Sequence, residues 1–233
     1  MTCIIGIRCK DGVVIVADKR VVKGEEIEDN ACKIIDTGMG LVAYSGLTGL
    51  TEDEFIPALI NRAERLRVMT IRELKKAVEE AVFEVYDEYR RRIGNDAGIY
   101  CFLAGLENIT SGKAVLYKVY PEGYAEIITR YEATGSGHVF ARPFLKAMYT
   151  PQLTIEQGVV LGTFIIMTIE KLGLDRNVGG GVDIGIVKDS DKVQEGEKAI
   201  EIFDDEKKKE YLKKAEDMFN KFKKLGEEIS GSA

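Results

Sequence analysis

The chain has 233 residues, which suits one large domain or two small ones, and 45% of them are hydrophobic. That apolar content excludes a disordered chain. Its 33 basic and 39 acidic residues give a formal net charge of −6, which argues against a nucleic-acid partner held by a basic surface. The longest nearly uncharged run, residues 158–169, is too short to span a membrane, and no secretory signal is recognised.

The cysteines argue against a metal site. Cys3, Cys9, Cys32 and Cys101 contain no CxxC pair, and the chain has a single histidine. This composition favours neither a zinc site nor a disulfide framework. We therefore expect a cytoplasmic protein without a metal ion or cofactor, with neither nucleic acid nor a membrane as its partner.

The first part of the chain has the pattern of a β-sheet. Residues 2–9 and 13–17 predict two strands, and Asp11-Gly12 between them is a strong hairpin signal. Two further strands are expected at 33–36 and 40–44. The period then becomes helical from Phe55 to Leu66.

A second helix is expected to begin at Thr70, which forms a capping-box pattern with Glu73. Strand patterns return at 99–106, 114–119 and 124–129, and Pro121-Glu122-Gly123 predicts the turn between the last two.

A second pair of helices follows, at about 138–149 and from Thr154, where Gln157 completes another capping box. The second of these is apolar on almost every side, so we expect it to be buried on more than one face. Late strands are expected at 182–187 and 199–203.

This order, in which strands and helix pairs form separate runs, favours an α+β fold. We expect a four-layer αββα sandwich of two antiparallel sheets flanked by helix pairs, with a C-terminal helical extension. Residues 1–203 would form the domain, and residues 204–233 a charged helix and tail with one apolar stripe. That stripe fits either a helix packed on its own subunit or a docking helix for a neighbour.

The first chemical candidate is Thr2. Removal of Met1 before this small residue would leave a free α-amine, whose pKa near 8 allows it to act as a base beside the weakly nucleophilic hydroxyl. Asp18 ends the second predicted strand, and Lys33 lies in an apolar setting that requires a carboxylate partner or loss of its proton. A cation near Thr2 would favour the alkoxide and the neutral amine. The alternative is two surface charges on adjacent strands.

Three glycine-containing segments are further candidates. Gly46 follows Ser45 at a strand end, where its N–H could form an oxyanion hole. The segment 134–137 could cradle a phosphate, although it lacks a Walker lysine and a full GxGxxG pattern, and 179–181 is a triple glycine before a strand. His138 is interpreted as a residue at a helix start, because nothing near it forms a nucleophile elbow.

Taken together, these residues resemble the β-type subunits of the proteasome family of N-terminal nucleophile hydrolases. The resemblance covers residues 2–190 in order. It is carried by Thr2-Cys3-Ile4-Ile5-Gly6, the run DGVVIVADKR at 11–20, Lys33-Ile34, Ser45-Gly46, Ala133-Thr134-Gly135-Ser136-Gly137, and Asp175 followed by the triple glycine. α-Type subunits carry an N-terminal helix that this sequence does not show, which favours the β type.

The resemblance implies the same αββα sandwich and attack by Thr2 on a peptide carbonyl, with the Thr2 amine as general base. It implies that Asp18 and Lys33 hold and tune Thr2, and that Gly46 is the oxyanion donor. Ser136 and Asp175 match the residues that support the amine and its water. The specificity pocket is implied to be lined by Val21, Ala31, Ile35, Tyr44 and Thr48, and the large Tyr44 predicts a narrowed or reshaped pocket.

Three departures from the family pattern are present: Val178 replaces a common serine, only Met1 precedes Thr2 where a propeptide is usual, and a retained Met1 would block the amine. The first functional hypothesis is a threonine peptidase for peptides or unfolded proteins, in a ring or other homo-oligomer whose subunit packing covers the apolar helix at 155–172. The alternatives are a transpeptidase or ligase on the same scaffold and a non-catalytic structural subunit.

Overall fold

Two five-stranded antiparallel sheets form the centre of the protein, in a computed structural model that describes residues 2–47, 49–66, 70–94, 98–108 and 112–231. The first sheet contains β1 (Ile4–Cys9), β2 (Gly12–Asp18), β10 (Tyr131–Thr134), β11 (Val182–Lys188) and β12 (Ile200–Ile202), in the order β10-β1-β2-β11-β12. As expected, β1 and β2 form a hairpin, in which Cys9 pairs with Gly12.

The second sheet has the order β5-β6-β7-β8-β9. Its strands are β5 (Ile34–Asp36), β6 (Gly40–Ser45), β7 (Tyr100–Leu106), β8 (Ala114–Val119) and β9 (Ala125–Ile127). A separate small hairpin of β3 (Val21–Lys23) and β4 (Glu26–Glu28) leaves the end of β2.

The described helices lie on the outer faces of the sheets. They are α1 (Ile56–Leu66), preceded by a π-helical segment at Leu50–Phe55, then α2 (Ile71–Ile93), α3 (His138–Met148), α4 (Ile155–Lys171) and α5 (Asp205–Ser230), with a short 3-10 turn at Ser190–Lys192. Within the described ranges, no helix is long and apolar enough to cross a membrane.

Three apolar clusters hold these layers together, because each sheet buries both of its faces. Ile4, Ile15 and Phe102 lie in the cluster between the two sheets. A second cluster packs the β5–β9 sheet against α1 and α2, and a third packs the other sheet against α3, α4 and α5. The expected four-layer αββα arrangement is therefore confirmed.

The strand predictions were wrong in two places. The segment expected at 124–129 contains only the short β9, and the chain then turns into β10, an edge strand that pairs with β1. The hairpin of β3 and β4 was not expected, since its sequence is mostly charged and exposed rather than alternating.

Helix α4 is buried on more than one face, as its composition predicts, but its cover was predicted wrongly. One side packs on β1, β2 and β11, and α5 of the same chain covers another. A neighbouring subunit is therefore not needed to bury this helix. Thr154 and Gln157 form the expected capping box at its start.

The apolar stripe of α5 packs on its own subunit. Tyr211, Ala215 and Phe219 are buried within the cluster that contains α4, whereas Leu225 near the end of the helix is exposed. The helix begins at the cap residue Asp204, whose side chain accepts a hydrogen bond from the Lys207 N–H at 2.8 Å. The boundary between residues 203 and 204 as a domain limit stays a prediction.

We predict that Phe219→Ala lowers the free energy of unfolding by about 3–5 kcal/mol, because it opens a cavity beneath α5. Leu225→Ala is the control on the same helix, with an expected change within about 0.5 kcal/mol. Urea unfolding monitored by circular dichroism measures both. Equal effects would mean that α5 is not anchored through its buried stripe.

Candidate functional site

A buried ion pair lies at the end of β2, next to the residues that precede β1 and β5. Asp18 ends β2 and is 0% exposed, and Lys33, just before β5, is 5% exposed. The Lys33 Nζ atom lies 2.8 Å from Asp18 Oδ1. Burying two charges is costly unless their remaining hydrogen-bonding capacity is satisfied.

Backbone groups provide the remaining hydrogen bonds of the two charged side chains. Asp18 Oδ1 accepts a hydrogen bond from the Cys3 N–H at 2.9 Å, and Oδ2 accepts from the N–H groups of Arg20 and Gly179, both at 3.2 Å. Lys33 Nζ also donates to the carbonyl oxygen of Arg20 at 2.6 Å. Segments from four parts of the chain therefore converge on one pair of charges.

Thr2 completes this cluster. Its hydroxyl donates to Asp18 Oδ1 and accepts a hydrogen bond from Lys33 Nζ. The residue is buried, and its carbonyl oxygen accepts from the Gly137 N–H at 3.2 Å. The structure thus brings together the three residues that the sequence singled out from the first two strands and the segment before β5.

The environment favours loss of a proton from the Lys33 ammonium. Burial lowers the pKa of Lys33 below its ordinary 10.5, although the charge and hydrogen bond of Asp18 act in the opposite direction. The neighbouring thiol is different: burial, reinforced by the Asp18 carboxylate, raises the pKa of Cys3 well above its ordinary range. Burial therefore disfavours the Cys3 thiolate and makes Lys33 easier to deprotonate than an ordinary lysine.

Arg20 is a residue whose role the sequence did not reveal. Its guanidinium donates to both carboxylate oxygens of Asp29, at 2.7 and 3.0 Å, and to the Val178 carbonyl oxygen at 3.3 Å. Its backbone N–H and carbonyl oxygen bind Asp18 and Lys33, respectively. Arg20 thus joins the β3–β4 hairpin and the glycine-rich loop before β11 to the ion pair. In the sequence, Arg20 stood out only as the last residue of the run DGVVIVADKR.

The loop after β10 holds the backbone of Thr2. Gly135 has a φ of +83°, and a Cβ atom placed there would lie 2.1 Å from the Thr2 carbonyl oxygen. Glycine is required for both reasons, the left-handed backbone and the close approach. His138 is the first residue of α3, as expected, and its Nδ1 lies 2.7 Å from the Gly135 carbonyl oxygen.

Ser136 and Asp175 lie near each other beside this loop. Burial raises the pKa of Asp175, but hydrogen bonds from the Asn177 N–H at 2.9 Å and the Asn177 side chain at 2.8 Å, together with the nearby Ser136 hydroxyl, outweigh burial and leave the pKa below the ordinary 3.8. The Ser136 hydroxyl is buried and, among the described residues, makes no hydrogen bond of ordinary length. Val178, which replaces a serine of the family pattern, is fully buried in the cluster that contains α3 and α4.

A narrow recess of about 20 Å³ lies beside Thr2, with room for about one water molecule. Three of the five expected pocket residues line it: Val21, Ala31 and Tyr44. Ile35 instead packs towards the cluster beneath α1 and α2, and Thr48 lies outside the described residues.

Gly46 lines this recess and also a second, larger cavity of about 420 Å³. Ser136 lines only the larger one, together with the other residues of the loop after β10. The recess has four lining residues that the sequence had assigned neither to the pocket nor to a catalytic role, namely Arg20, Ser45, Thr51 and Glu52. No periodic pattern distinguishes these positions from ordinary loop and strand-end residues.

We predict that Asp18→Ala lowers the free energy of unfolding by about 3–5 kcal/mol, because it leaves the Lys33 ammonium buried without its counter-ion. The double variant Asp18→Ala/Lys33→Met is expected to lose clearly less, as no buried charge remains. Denaturant unfolding of both checks this. Glu206→Ala, which breaks the exposed pair with Lys209, is the control and is expected to change stability little. A double variant as unstable as Asp18→Ala would contradict the explanation.

The lowered pKa of Lys33 also predicts a pH dependence. Because the pKa is lower in the folded state than in the unfolded state, the charged lysine destabilises the fold fully below the folded pKa. This cost disappears as the pH rises towards 10.5. The wild-type chain should therefore gain stability relative to Lys33→Met over that alkaline interval, as measured by denaturant unfolding at a series of pH values. A constant difference would show that the pKa is not lowered.

Comparison with known proteins gives the family. The sequence pattern of the family described as proteasome subunit matches residues 1–187. The chain is 28% identical to a proteasome subunit beta of Nanoarchaeum equitans over 80% of this chain and 91% of that protein. It is 28% identical to a proteasome subunit alpha of Methanococcus maripaludis, strain C5, over 83% of this chain and 73% of that protein. It is 26% identical to a proteasome subunit beta of Archaeoglobus profundus, over 78% of this chain and 82% of that protein. The chain therefore belongs to the proteasome subunit family.

Proposed function

We propose that this chain is a threonine-type N-terminal nucleophile peptidase of the proteasome β type, active after removal of Met1. The observation that carries this proposal is the contact of the Thr2 hydroxyl with both members of the buried Asp18–Lys33 pair. A hydroxyl becomes a useful nucleophile when a neighbouring base accepts its proton. Here the candidate bases are the Thr2 α-amine, freed by processing, and a neutral Lys33.

The proposed reaction begins with attack of Thr2 Oγ1 on the carbonyl carbon of the scissile peptide bond, while the hydroxyl proton passes to the base. The carbonyl π electrons move onto oxygen, and the Gly46 N–H is the proposed donor to that oxyanion. Collapse of this intermediate breaks the C–N bond, and the leaving amine takes the proton. Water then attacks the ester carbonyl carbon while the base accepts a proton from it. The bond between that carbon and Thr2 Oγ1 breaks, the Thr2 oxygen takes the proton back from the base, and the new carboxyl end of the substrate is released.

Asp18 is proposed to act by position rather than by proton transfer. Its carboxylate holds Lys33 and the Thr2 hydroxyl in contact and stabilises the ammonium that forms when Lys33 takes a proton. Ser136 and Asp175 are proposed to support the Thr2 amine and the attacking water. The lowered pKa of Asp175 supports this role, because a carboxylate that stays ionised can orient an ammonium or a water molecule.

The proposed substrate is a peptide or an unfolded protein with a small residue before the scissile bond. The recess lined by Val21, Ala31 and Tyr44 is the proposed pocket for that residue, and its volume of about 20 Å³ favours glycine or alanine. The Tyr44 hydroxyl donates to the Cys32 carbonyl oxygen at 2.9 Å, which fixes the ring against the recess.

A non-catalytic structural subunit is the second candidate, because the relatives include proteasome subunits named alpha as well as beta at the same 28% identity. The two candidates differ at Thr2: only the peptidase requires a free α-amine there. In either case we propose a ring or other homo-oligomeric assembly in the cytoplasm.

We predict that the working protein begins at Thr2 and that Thr2→Ala lowers kcat/KM for alanine-rich peptides on the order of 1000-fold or more. Thr2→Ser should keep measurable activity, because it retains a hydroxyl on Cβ beside the same α-amine. A peptide epoxyketone, which reacts with both a hydroxyl and an α-amine, should add its mass to the wild-type chain but not to Thr2→Ala.

Intact mass spectrometry shows whether Met1 is removed, and Thr150→Ala, an exposed threonine between α3 and α4, is the control. Retention of Met1 together with no inhibitor adduct would refute the peptidase proposal and support the structural subunit.

A further inference from the structure

The larger cavity, of about 420 Å³, lies where the apolar layer between the two sheets ends near Thr2. Ser45 of β6 pairs with Tyr100 of β7, and Lys118 of β8 lies two residues beyond Leu116, which belongs to the apolar cluster between the sheets. Side chains two residues apart on a strand point to the same face. Polar and aromatic residues thus replace apolar ones at this end of the layer, and all three line the cavity.

Lys118 is a buried cation without a close counter-ion. It is 7% exposed, and no carboxylate of the described residues lies within ion-pair distance of it. Its Nζ atom lies 5.7 Å from the ring centre of Tyr100 and 5.1 Å from that of Tyr120. Such cation–π contacts offset only part of the cost of removing an ammonium from water.

The nearest acidic side chains are bound to other groups. Glu132 accepts hydrogen bonds from Arg142 and from the Ala133 N–H, each at 2.8 Å. Glu126 accepts one from the Tyr120 hydroxyl at 2.9 Å. Burial lowers the pKa of Lys118, the charges of Glu132 and Glu126 raise it, and Arg142 lowers it further. A carboxylate entering the cavity would offset the burial cost and stabilise the ammonium.

The charge of the lining residues favours an anion. Lys118 lines the cavity together with Arg142, whose charge is paired with that of Glu132 at 2.8 Å, and none of the described lining residues is acidic. This cationic concavity occurs in a chain whose formal net charge is −6. A local field of that sign attracts anionic groups selectively in an otherwise acidic protein.

We propose that this cavity binds a carboxylate of the substrate through Lys118, on the side of the scissile bond away from the narrow recess. The proposal rests on the proposed peptidase function. Ser45 and Gly46 line both spaces, so a peptide whose scissile carbonyl lies at Gly46 can place the residue before the bond in the recess and the leaving part in the cavity. The carboxylate comes either from the C-terminus of a short leaving peptide or from an Asp or Glu side chain.

Binding to the Thr2→Ala chain tests the site without turnover. Three alanine-based peptides of equal length serve as probes: one with a C-terminal amide, one with a free C-terminal carboxylate, and one with a C-terminal amide and a single glutamate in the leaving part. Calorimetry should show tighter binding of at least one acidic peptide than of the neutral one, by about 10-fold or more. The acidic peptide that binds more tightly identifies the source of the carboxylate.

Lys118→Met in the same chain should remove this preference, so that the acidic peptides bind no more tightly than the neutral one. Lys146→Met, which removes an exposed lysine of α3 outside the cavity lining, is the matched control and should keep the preference. Thermal unfolding of Lys118→Met should show no loss of stability, because the variant removes an unpaired buried charge. Equal binding of the three peptides, no measurable binding of any, or a preference that survives Lys118→Met would overturn the proposal.

This test is separate from the test of Thr2. If acidic peptides bind more tightly through Lys118 but Thr2 takes up no inhibitor, the proposed carboxylate site is supported and the peptidase proposal is refuted. An inhibitor adduct on Thr2 without an acidic preference would support the peptidase proposal and refute the proposed carboxylate site.

Discussion

The structure of the site depends on one requirement, the satisfaction of a lysine and an aspartate that are both buried. An ammonium and a carboxylate in the interior are tolerated only with close pairing and further hydrogen bonds. Lys33 and Asp18 obtain these from backbone groups of Cys3, Arg20 and Gly179. The end of β2, the start of β1, the approach to β5 and the loop before β11 are thereby fixed relative to one another. The geometry around the Thr2 hydroxyl is a consequence of that arrangement.

The same requirement explains the contrast between Lys33 and Lys118. Both lysines are buried: Lys33 lines the narrow recess beside Thr2, and Lys118 lines the larger cavity. Lys33 has a carboxylate at 2.8 Å, whereas Lys118 has two tyrosine rings at 5.1 and 5.7 Å and, among the described residues, no carboxylate within ion-pair distance. A lysine with its partner built into the fold is suited to proton transfer and positioning. A lysine without one is suited to a partner that arrives from solution.

Much of the fold could be predicted from local sequence signals. Asp11-Gly12 identifies the β1–β2 hairpin, the Thr154 and Gln157 pair identifies the start of α4, and apolar periodicity separates helices from strands. The hairpin of β3 and β4 could not be predicted, since tertiary contacts rather than apolar alternation hold it. Arg20 ties it to the loop before β11. The packing of α5 on α4 was missed for a related reason. An apolar stripe predicts that a helix face is buried but does not indicate which element packs against it.

Within the site, residue types and strand periodicity sufficed to bring Thr2, Asp18 and Lys33 together as candidates. They did not identify Arg20 as a connecting residue or Lys118 as an unpaired charge. Both properties depend on contacts between segments far apart in sequence, which one strand's pattern does not contain. Lys118 differs from an ordinary strand lysine only because β8 directs it to the layer between the sheets.

Gly135 limits which residues this position can carry. The Thr2 carbonyl group occupies the space where a Cβ atom at position 135 would lie. Any larger residue there would therefore push β1 away from the loop after β10. The displaced strand would carry the Thr2 hydroxyl away from Lys33 and Asp18 while leaving all three side chains chemically intact. A substitution at this position would therefore have the same effect as loss of the proposed nucleophile, although the substituted residue carries no reactive group.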